Sequence, residues 1–234
     1  EPYRRQRQMC IRDRIYGYEF DGIYQYSDFY SVPGSSTLIL KEGVTSNPSL
    51  GNRLSPGAVK YKDQDGDGVI TTKDRTVIGN ALPKWYGGIT NTFNYKGIDF
   101  SFMLQFNYGN DIYNATRLYA TQTNTQRRNQ LAEVADRWSP TNASNKVPRY
   151  NGYVVNDVYS RFVEDGSFLR LKNITLGYTL PHKWTRSFHV SKLRVYATGQ
   201  NLFCLNNYSG YDPEVSTASK SPMTPGCLLY TSDA

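Results

Sequence analysis

The chain has 234 residues, a formal net charge of +7 and a hydrophobic content of 38%, and 20 of its residues are tyrosines. This length admits one large all-β domain or two small domains, and no apolar run reaches the about 20 residues that a membrane helix needs. The three cysteines, Cys10, Cys204 and Cys227, lack the spacing of metal ligands. Many tyrosines at low hydrophobicity are typical of a surface that meets both water and an apolar phase.

The two ends of the chain are predicted to differ in origin from its middle. One DNA string, which resembles a sequencing adapter, would encode Arg4–Arg14 on one strand and Cys227–Ala234 on the opposite strand. We therefore expect residues 1–14 and 227–234 to be adapter-derived and residues 15–226 to be native. The two encoded segments contribute +3 to the net charge and leave +4. This mild charge gives little reason to expect nucleic-acid binding.

Alternation of apolar and polar residues predicts about five strands in the native segment. The alternation is strict over Ile98–Tyr108, where six apolar residues share one face. Lys96-Gly97, directly before that segment, predicts a tight hairpin turn. In chain order, the five predicted strands are Ile15–Tyr24, Trp85–Tyr95, Ile98–Tyr108, Ile174–Leu180 and Lys192–Phe203.

The predicted strands are joined by connections that alternate between long and short. The long, irregular ones are Ser27–Lys84, Asn110–Glu164, with a helix predicted near Thr125–Trp138, and Leu205–Gly226. Long outer loops, short periplasmic turns and strands of about 9–11 residues are typical of a membrane β-barrel. A half-buried strand of a soluble sandwich would show the same period, so the alternation of the connections favours the barrel.

The segment DQDGDGVITTKD, from Asp63 to Asp74, predicts a calcium loop. Carboxylates at alternate positions, a glycine at the sixth and a carboxylate at the twelfth are the pattern of an oxygen cage for this ion. The expected ligands are Asp63, Asp65, Asp67, Val69 through its backbone carbonyl, Thr71 and Asp74. Asp at the twelfth position departs from the Glu of EF-hands, and no helix is predicted on either side. We therefore expect a structural calcium ion, and the alternative is a turn without metal.

No catalytic residues are predicted. His182 and His189 fall in a short turn without a triad partner, and the adjacent carboxylates of Glu164 and Asp165 would point to opposite faces of a strand. Five tyrosines of the second long connection could contact sugars or peptides, pack against a partner or meet solvent. They are Tyr113, Tyr119, Tyr150, Tyr153 and Tyr159. We assign no ligand-binding residue.

Six segments resemble, in order, the C-terminal part of the SusC/RagA family of TonB-linked outer-membrane transporters. The longest are PGAVKYKDQDGDGVITTKDRTVIGN (Pro56–Asn80), NTFNYKGIDFSFMLQFNYGNDIYN (Asn91–Asn114) and RFVEDGSFLRLKNITLGYTLP (Arg161–Pro181). The shorter ones are GYEFDGIYQ (Gly17–Gln25), KLRVYATGQNLF (Lys192–Phe203) and YSGYDPEV (Tyr208–Val215). Six ordered segments are far more specific than a lone short motif.

This resemblance implies an all-β fold: a partial antiparallel transmembrane β-barrel with long extracellular loops and a short loop helix. The chain would supply about five C-terminal strands of a barrel of about 22 strands. It implies a fragment of an active transporter in the Gram-negative outer membrane, not an enzyme. The transporter would import oligosaccharides or peptides with a SusD-like surface lipoprotein, energised through TonB. The alternative is a secreted, calcium-stabilised β-rich adhesin or carbohydrate-binding module, whose outer strand faces would be polar. A calcium-stabilised hydrolase has little support among the residues.

Overall fold

The structure is a computed structural model that describes residues 14–34, 38–122, 129–154, 157–186 and 190–214. Its strands are β1 (Arg14–Gly17), β2 (Phe20–Ile23), β3 (Phe29–Ser31), β4 (Leu38–Leu40), β5 (Val59–Tyr61), β6 (Thr76–Asn80), β7 (Trp85–Tyr95), β8 (Ile98–Tyr108), β9 (Asp111–Tyr113), β10 (Val163–Asp165), β11 (Phe168–Thr179) and β12 (Arg194–Asn206). The α-helices are α1 (Ala115–Thr121) and α2 (His182–Thr185), and 3-10 helices span Tyr26–Asp28, Pro48–Arg53, Thr72–Asp74, Ala132–Asp136 and Ser160–Phe162. Within the described ranges, no helix is long and apolar enough to cross a membrane.

The chain divides into two compact units. We call Leu82–Asp111 with Asp165–Ser209 the sheet unit. The rest of the chain, Glu1–Ala81 with Ile112–Glu164 and Gly210–Ala234, is the loop unit. The long strands lie in the sheet unit, and the predicted calcium loop lies in the loop unit.

The sheet unit is a four-stranded antiparallel sheet in the order β7, β8, β11, β12. β7 and β8 pair without interruption from Trp85 opposite Tyr108 to Tyr95 opposite Ile98. The turn between them is Lys96-Gly97, with φ of 45° and 87°. Positive φ at both central residues is the backbone of the tight hairpin turn that the sequence predicted, and it favours glycine at the second position.

The first six strands of the chain pair in a nested arrangement within the loop unit. β3 pairs with β4, β2 with β5, and β1 with β6, all antiparallel. Each outer pair therefore encloses the inner pairs along the chain. β9 pairs with β10 in a further two-stranded sheet.

The core of the loop unit is rich in tyrosine. Its buried residues are Tyr18, Tyr24, Phe29, Leu50, Ala58, Val59, Tyr61, Ile70, Tyr113, Ala115, Leu118, Tyr153, Tyr159 and Phe162. The rings of Tyr18 and Tyr61 stack with centroids 4.8 Å apart, and Phe162 meets Tyr159 edge-on at 5.1 Å. The Tyr24 hydroxyl donates to the Thr45 carbonyl at 2.6 Å. A ring can thus be buried while its hydroxyl keeps a partner.

Three local predictions differ from the structure. The segment Ile15–Tyr24 forms β1 and β2 in the loop unit, so four of the about five predicted strands form the sheet among the described residues. Gly22 has a φ of 120° and lies at a register shift, which interrupts this segment. Ser27–Lys84, predicted as irregular, contains β3 to β6. The helix predicted near Thr125–Trp138 was misplaced, because α1 ends at Thr121 and Ala132–Asp136 is a 3-10 helix; residues 123–128 lie outside the described ranges.

Candidate metal loop and the two-faced sheet

The first half of the predicted calcium loop brings three carboxylates together. One oxygen from each of Asp63, Asp65 and Asp67 lies within 4.8 Å of the others. Both oxygens of Asp63 accept backbone N–H groups, from Gly66 and Gly68, each at 2.7 Å. Both glycines have positive φ, 76° and 80°, so the chain can curl around the Asp63 carboxylate.

The end of the loop is arranged differently, because Asp74 is buried and bonded to the backbone. One of its carboxylate oxygens accepts the Gln64 N–H at 2.9 Å, and the other accepts the Thr71 N–H at 2.7 Å. Burial raises the pKa of Asp74, but these backbone donors outweigh it and hold the pKa below its ordinary value. Thr71 is the N-cap of the 3-10 helix Thr72–Asp74 and accepts the Lys73 N–H at 3.2 Å. In the structure Asp74 therefore closes the loop through hydrogen bonds; its carboxylate interacts with that of Asp63 but is not one of the three carboxylates that come together.

The middle of the loop is fixed to the loop unit on two sides. Ser46 forms a parallel bridge with Val69: the Ser46 N–H donates to the Gly68 carbonyl at 2.8 Å, and the Ile70 N–H donates to the Ser46 carbonyl at 2.7 Å. The Ile70 side chain is 4% exposed and belongs to the core. The Gln64 side chain donates to Glu19 at 2.9 Å. Because the loop follows β5 and precedes β6, it lies between strands, in agreement with the prediction that no helix flanks it.

The residues at this loop fit a hard cation of the calcium type. All the candidate groups offer oxygen, the atom that calcium prefers. A carboxylate oxygen that accepts one N–H retains a second lone pair, so the hydrogen bonds of Asp63 and Asp74 do not exclude coordination. The three carboxylates repel one another, and a divalent cation would offset this repulsion. The ligand set itself stays a prediction.

One face of the sheet unit is mostly apolar along its whole length, with Asn91 as a polar residue in the middle of β7. Residues opposite each other across antiparallel strands share a face, so the face can be read from the register. Its larger side chains are Trp85, Ile89, Phe93, Tyr95, Ile98, Phe100, Phe102, Leu104, Phe106, Tyr108, Leu169, Leu171, Ile174, Leu176, Tyr178, Val195, Phe203 and Leu205. Several remain open, for example Phe93 at 57%, Leu176 at 53% and Leu205 at 61% exposed. Trp85 and Tyr108 stand at one end of this face, and Tyr95 and Tyr178 at the other.

The opposite face of the sheet unit is mostly polar. One row across the four strands contains Thr92, Ser101, Thr175 and Thr198, and the last two hydroxyls lie 3.2 Å apart. Asp99 on β8 forms an ion pair with Arg194 on β12. The pair crosses β11 at Gly177, where a Cβ atom would lie 2.6 Å from an Asp99 oxygen. Glycine at this position therefore leaves room for the ion pair.

Among the residues that the structure describes, the candidates for catalysis or ligand contact do not form a common site. The Glu164 carboxylate binds Arg117 at 3.1 Å, while Asp165 accepts the Ser167 N–H at 2.9 Å. His182 is exposed in α2, and His189 lies outside the described ranges. Tyr113, Tyr153 and Tyr159 are buried in the core, Tyr119 packs partly against it, and Tyr150 is exposed. The expectation that these tyrosines meet sugar, partner or solvent is thus wrong for the three buried ones.

Sequence reasoning missed the ion-pair network that fixes the second long connection. Arg117 on α1 makes a two-bond contact with Glu133, at 2.9 and 2.8 Å, and Arg161 approaches the same carboxylate at 3.5 Å. Arg117 holds the pKa of Glu133 below its ordinary value, against the effect of burial. Because these residues are far apart in sequence, no local sequence pattern predicts that they form ion pairs.

Comparison with known proteins relates the chain to TonB-dependent receptors. No family model matches it. It is 35% identical over 202 residues to TonB-dependent receptor P3 of Formosa agariphila, covering 86% of this chain and 18% of that receptor. It is 40% identical over 167 residues to receptor P26 of the same organism, covering 70% of this chain and 17% of the relative. TonB-dependent receptor SusC of Bacteroides thetaiotaomicron is 30% identical over 172 residues, which cover 73% of this chain and 17% of SusC.

Solved structures show the same fold. The RagAB peptide importer in its closed-closed state matches with a TM-score of 0.60 at 23% identity, covering 86% of this chain and 20% of that one. A structure of the RagAB peptide transporter matches with the same TM-score at 22% identity and the same coverage. The predicted fold class, an all-β partial antiparallel barrel with a short loop helix, is confirmed. The chain spans less than a fifth of the length of the curated relatives that it matches. It is therefore a SusC/RagA-like fragment, homologous over most of its length to the TonB-dependent receptors.

Proposed function

We propose that the chain is part of an outer-membrane transporter of Gram-negative bacteria that imports oligosaccharides or peptides. The observation that carries this proposal is the exposed apolar face of the sheet unit. Its strands β7 and β8 have 11 residues each, which is the length of a tilted membrane-spanning strand. Aromatic side chains at both ends of the face fit the two interfaces of a bilayer. In water, an open face of this size would favour aggregation.

The two edge strands explain why the chain would act only within a larger barrel. β7 and β12 each pair on one side only among the described strands. Unpaired backbone groups are not tolerated in lipid, so we propose that strands outside this chain pair with both edges. The polar face then lines the lumen, the long connections are extracellular and the short turns are periplasmic. The contribution of this chain to transport is a section of wall, without any bond chemistry.

The partners and the substrate belong to the same proposal. We propose a SusD-like surface lipoprotein at the extracellular side and energy supply through TonB, because the relatives include SusC and the similar structures are of RagAB. RagAB is a peptide importer, so peptides stand beside oligosaccharides as the candidate substrate class.

The test uses the full-length receptor in its bacterial host. Fractionation is expected to recover it in the outer membrane, and uptake of either a labelled oligosaccharide mixture or a labelled oligopeptide mixture is expected to fall to background when the receptor gene or TonB is deleted. Recovery of the protein in the culture medium would favour the secreted adhesin instead. Outer-membrane protein whose deletion changes uptake of neither mixture would contradict the transport proposal.

We also propose that the loop Asp63–Asp74 binds calcium in a structural role. Support comes from the three clustered carboxylates and from the attachment of the loop to the core through Ile70 and Ser46. A bound cation would offset the repulsion among the carboxylates and limit the freedom of a long connection.

The calcium proposal is tested by titration of the metal-free full-length receptor. We expect binding of one ion at this loop, with thermal stabilisation of the loop unit. Asp65→Asn is the informative variant, since it removes one charge at an exposed position and should weaken binding by at least about tenfold, equal to about 1.4 kcal/mol. Asp136→Asn, elsewhere in the loop unit, is the control. Unchanged calcium affinity in Asp65→Asn would reject the proposed ligand.

A further inference from the structure

The hairpin-turn end of the sheet unit is strongly cationic. By sequence, segments 94–99 and 178–195 contain the cations Lys96, Lys183, Arg186, Lys192 and Arg194 but only one acidic residue, Asp99. That aspartate forms an ion pair with Arg194. The other four cations have exposed side chains. Four positive charges therefore remain at this end.

The two turns that carry these charges lie side by side. The Thr179 N–H, at the end of β11, donates to the Gly97 carbonyl of the β7–β8 turn at 2.7 Å. The Leu180 N–H donates to the Leu193 carbonyl at 2.9 Å, so the chain that leaves β11 lies next to the chain that enters β12. The cations are thus collected at one rim of the sheet. The other end of the sheet unit carries acidic residues, Asp111 and Asp165.

The same rim presents apolar side chains. Trp184 is 63% exposed in α2, and Leu193 is 45% exposed. Leu193 precedes Val195 by two residues, so by the period of a strand it lies on the same side as Val195, which belongs to the apolar face. Backbone bonds define the described part of the turn: the Trp184 N–H donates to the Pro181 carbonyl at 3.0 Å, and the Val190 N–H to the Thr185 carbonyl at 3.2 Å. An exposed tryptophan here is thus carried by a short helix.

We propose that this rim, formed by Lys96, Lys183, Trp184, Arg186 and Lys192, binds anionic phospholipid headgroups of the periplasmic leaflet. The proposal deepens the proposed function, because it requires the apolar face to lie in a bilayer. Charge complementarity selects the occupant, since clustered Lys and Arg attract anionic lipids and lose this attraction beyond a Debye length. Tryptophan prefers the headgroup level, where its ring is apolar and its N–H can hydrogen-bond. Continuity with the apolar face places the rim where acyl chains give way to headgroups.

The rim would fix the height of the barrel wall in the bilayer. Headgroup phosphates bind the cations on one side of the interface, and the Trp184 ring stays just inside it. Movement of the wall along the membrane normal would either bury charged groups in hydrocarbon or expose the tryptophan to water, and both changes are unfavourable.

The experiment uses the full-length receptor, purified from detergent and reconstituted in nanodiscs of mixed phosphatidylglycerol and phosphatidylcholine. The phosphatidylglycerol-to-phosphatidylcholine ratio that the receptor retains after delipidation is measured by mass spectrometry. The variant Lys183→Glu/Arg186→Glu/Lys192→Glu is expected to lower this ratio by at least about tenfold, because each basic residue near an anionic surface contributes a several-fold preference. Lys62→Glu/Arg137→Glu/Lys146→Glu reverses three exposed charges of the loop unit and is expected to stay within about twofold of the parent.

A second readout locates the tryptophan. Phospholipids brominated near the headgroup are expected to quench the fluorescence that Trp184→Phe removes, and lipids brominated at the chain end are not. If charge reversal prevents assembly of the receptor, the variant Lys183→Gln/Arg186→Gln/Lys192→Gln replaces it. This variant should also lower the ratio of phosphatidylglycerol to phosphatidylcholine that the receptor retains.

Three results would overturn the inference. They are an unchanged lipid ratio in the turn variants, an equal loss in the control variant, and complete displacement of phosphatidylglycerol by inorganic phosphate, which would indicate a site for a free anion. A receptor that is absent from the outer membrane contradicts the proposed function itself. A receptor that is embedded and active but retains no anionic lipid contradicts the rim alone.

Discussion

Replacing Asp74 by alanine should separate its two candidate roles, closing the loop and binding metal. The Asp74 carboxylate accepts the N–H groups of Gln64 and Thr71 at 2.9 and 2.7 Å. Hydrogen bonds to a charged group contribute about 1.5–3 kcal/mol each, and the exposed Gln64 regains part of this from water. We therefore expect Asp74→Ala to cost about 2–4 kcal/mol of local stability even without calcium.

Hydrogen exchange of the metal-free full-length receptor, resolved to single amides, measures this cost. Each 1.4 kcal/mol is tenfold in an equilibrium constant, so exchange at Gln64 and Thr71 should accelerate by about 30- to 700-fold. Asp65→Asn is the matched control, because it changes a loop carboxylate that neither of these amides contacts. Unchanged exchange at both amides in Asp74→Ala, together with a large loss of calcium affinity, would refute the closing role and assign Asp74 to the metal.

Further changes follow from the same contacts. Because folding lowers the pKa of Asp74, the stability that this carboxylate contributes should be complete above about pH 4 and should disappear as the pH falls through the lowered pKa. Acid unfolding of the metal-free parent, compared with that of metal-free Asp74→Ala, measures this loss. Phe162→Ala should destabilise the loop unit by about 3–5 kcal/mol in chemical unfolding, whereas the exposed Tyr150→Ala should change it by less than about 0.5 kcal/mol; equal effects would contradict the core assignment. Gly177→Ala and Asp99→Asn should each lower the thermal midpoint by the same amount, and the double variant should lower it no further, because both changes disrupt the same ion pair. An additive loss in the double variant would mean that Gly177 does not act by leaving room for this ion pair. The 234-residue chain alone should not yield a heat-modifiable monomer in detergent, because β7 and β12 each pair on one side only among the described strands, and recovery of such a monomer would contradict this expectation.

The long strands were predictable because their signal is local and repeats. Ile98–Tyr108 alternates without a break, and the structure gives β8 the same bounds. Ile15–Tyr24 alternates loosely, and there Gly22 and a register shift divide the segment into β1 and β2. The three-residue strands β3, β4 and β5 are too short for a period to emerge, and β2, the partner of β5, lies far away along the chain.

The candidate site was predictable in composition and only partly in geometry. The spacing of Asp63, Asp65 and Asp67 does bring their carboxylates together. Position along the motif could not reveal that Asp74 accepts two backbone N–H groups, because those bonds depend on how the loop curls. The burial of Tyr159 could not be predicted either, because tyrosine is common both at surfaces and in cores. Its burial depends on contacts such as those with Phe162 and with Tyr61, which lies far away along the chain.

The nested pairing of the first six strands has a consequence for the order of folding. β3 and β4 enclose only the short segment between Ser31 and Leu38, so their contact closes a small loop. Once it forms, the free chain between Ile23 and Val59 is effectively shorter, and the same holds for the span between Gly17 and Thr76 after β2 meets β5. Because the entropic cost of closing a loop rises with its length, the strands can pair in small steps, first β3 with β4, then β2 with β5, and last β1 with β6. An insertion between Leu40 and Val59 should then raise the entropic cost of pairing β2 with β5 by about 0.6 kcal/mol for each doubling of the open span, and leave the pair of β3 and β4 as the first structure to form.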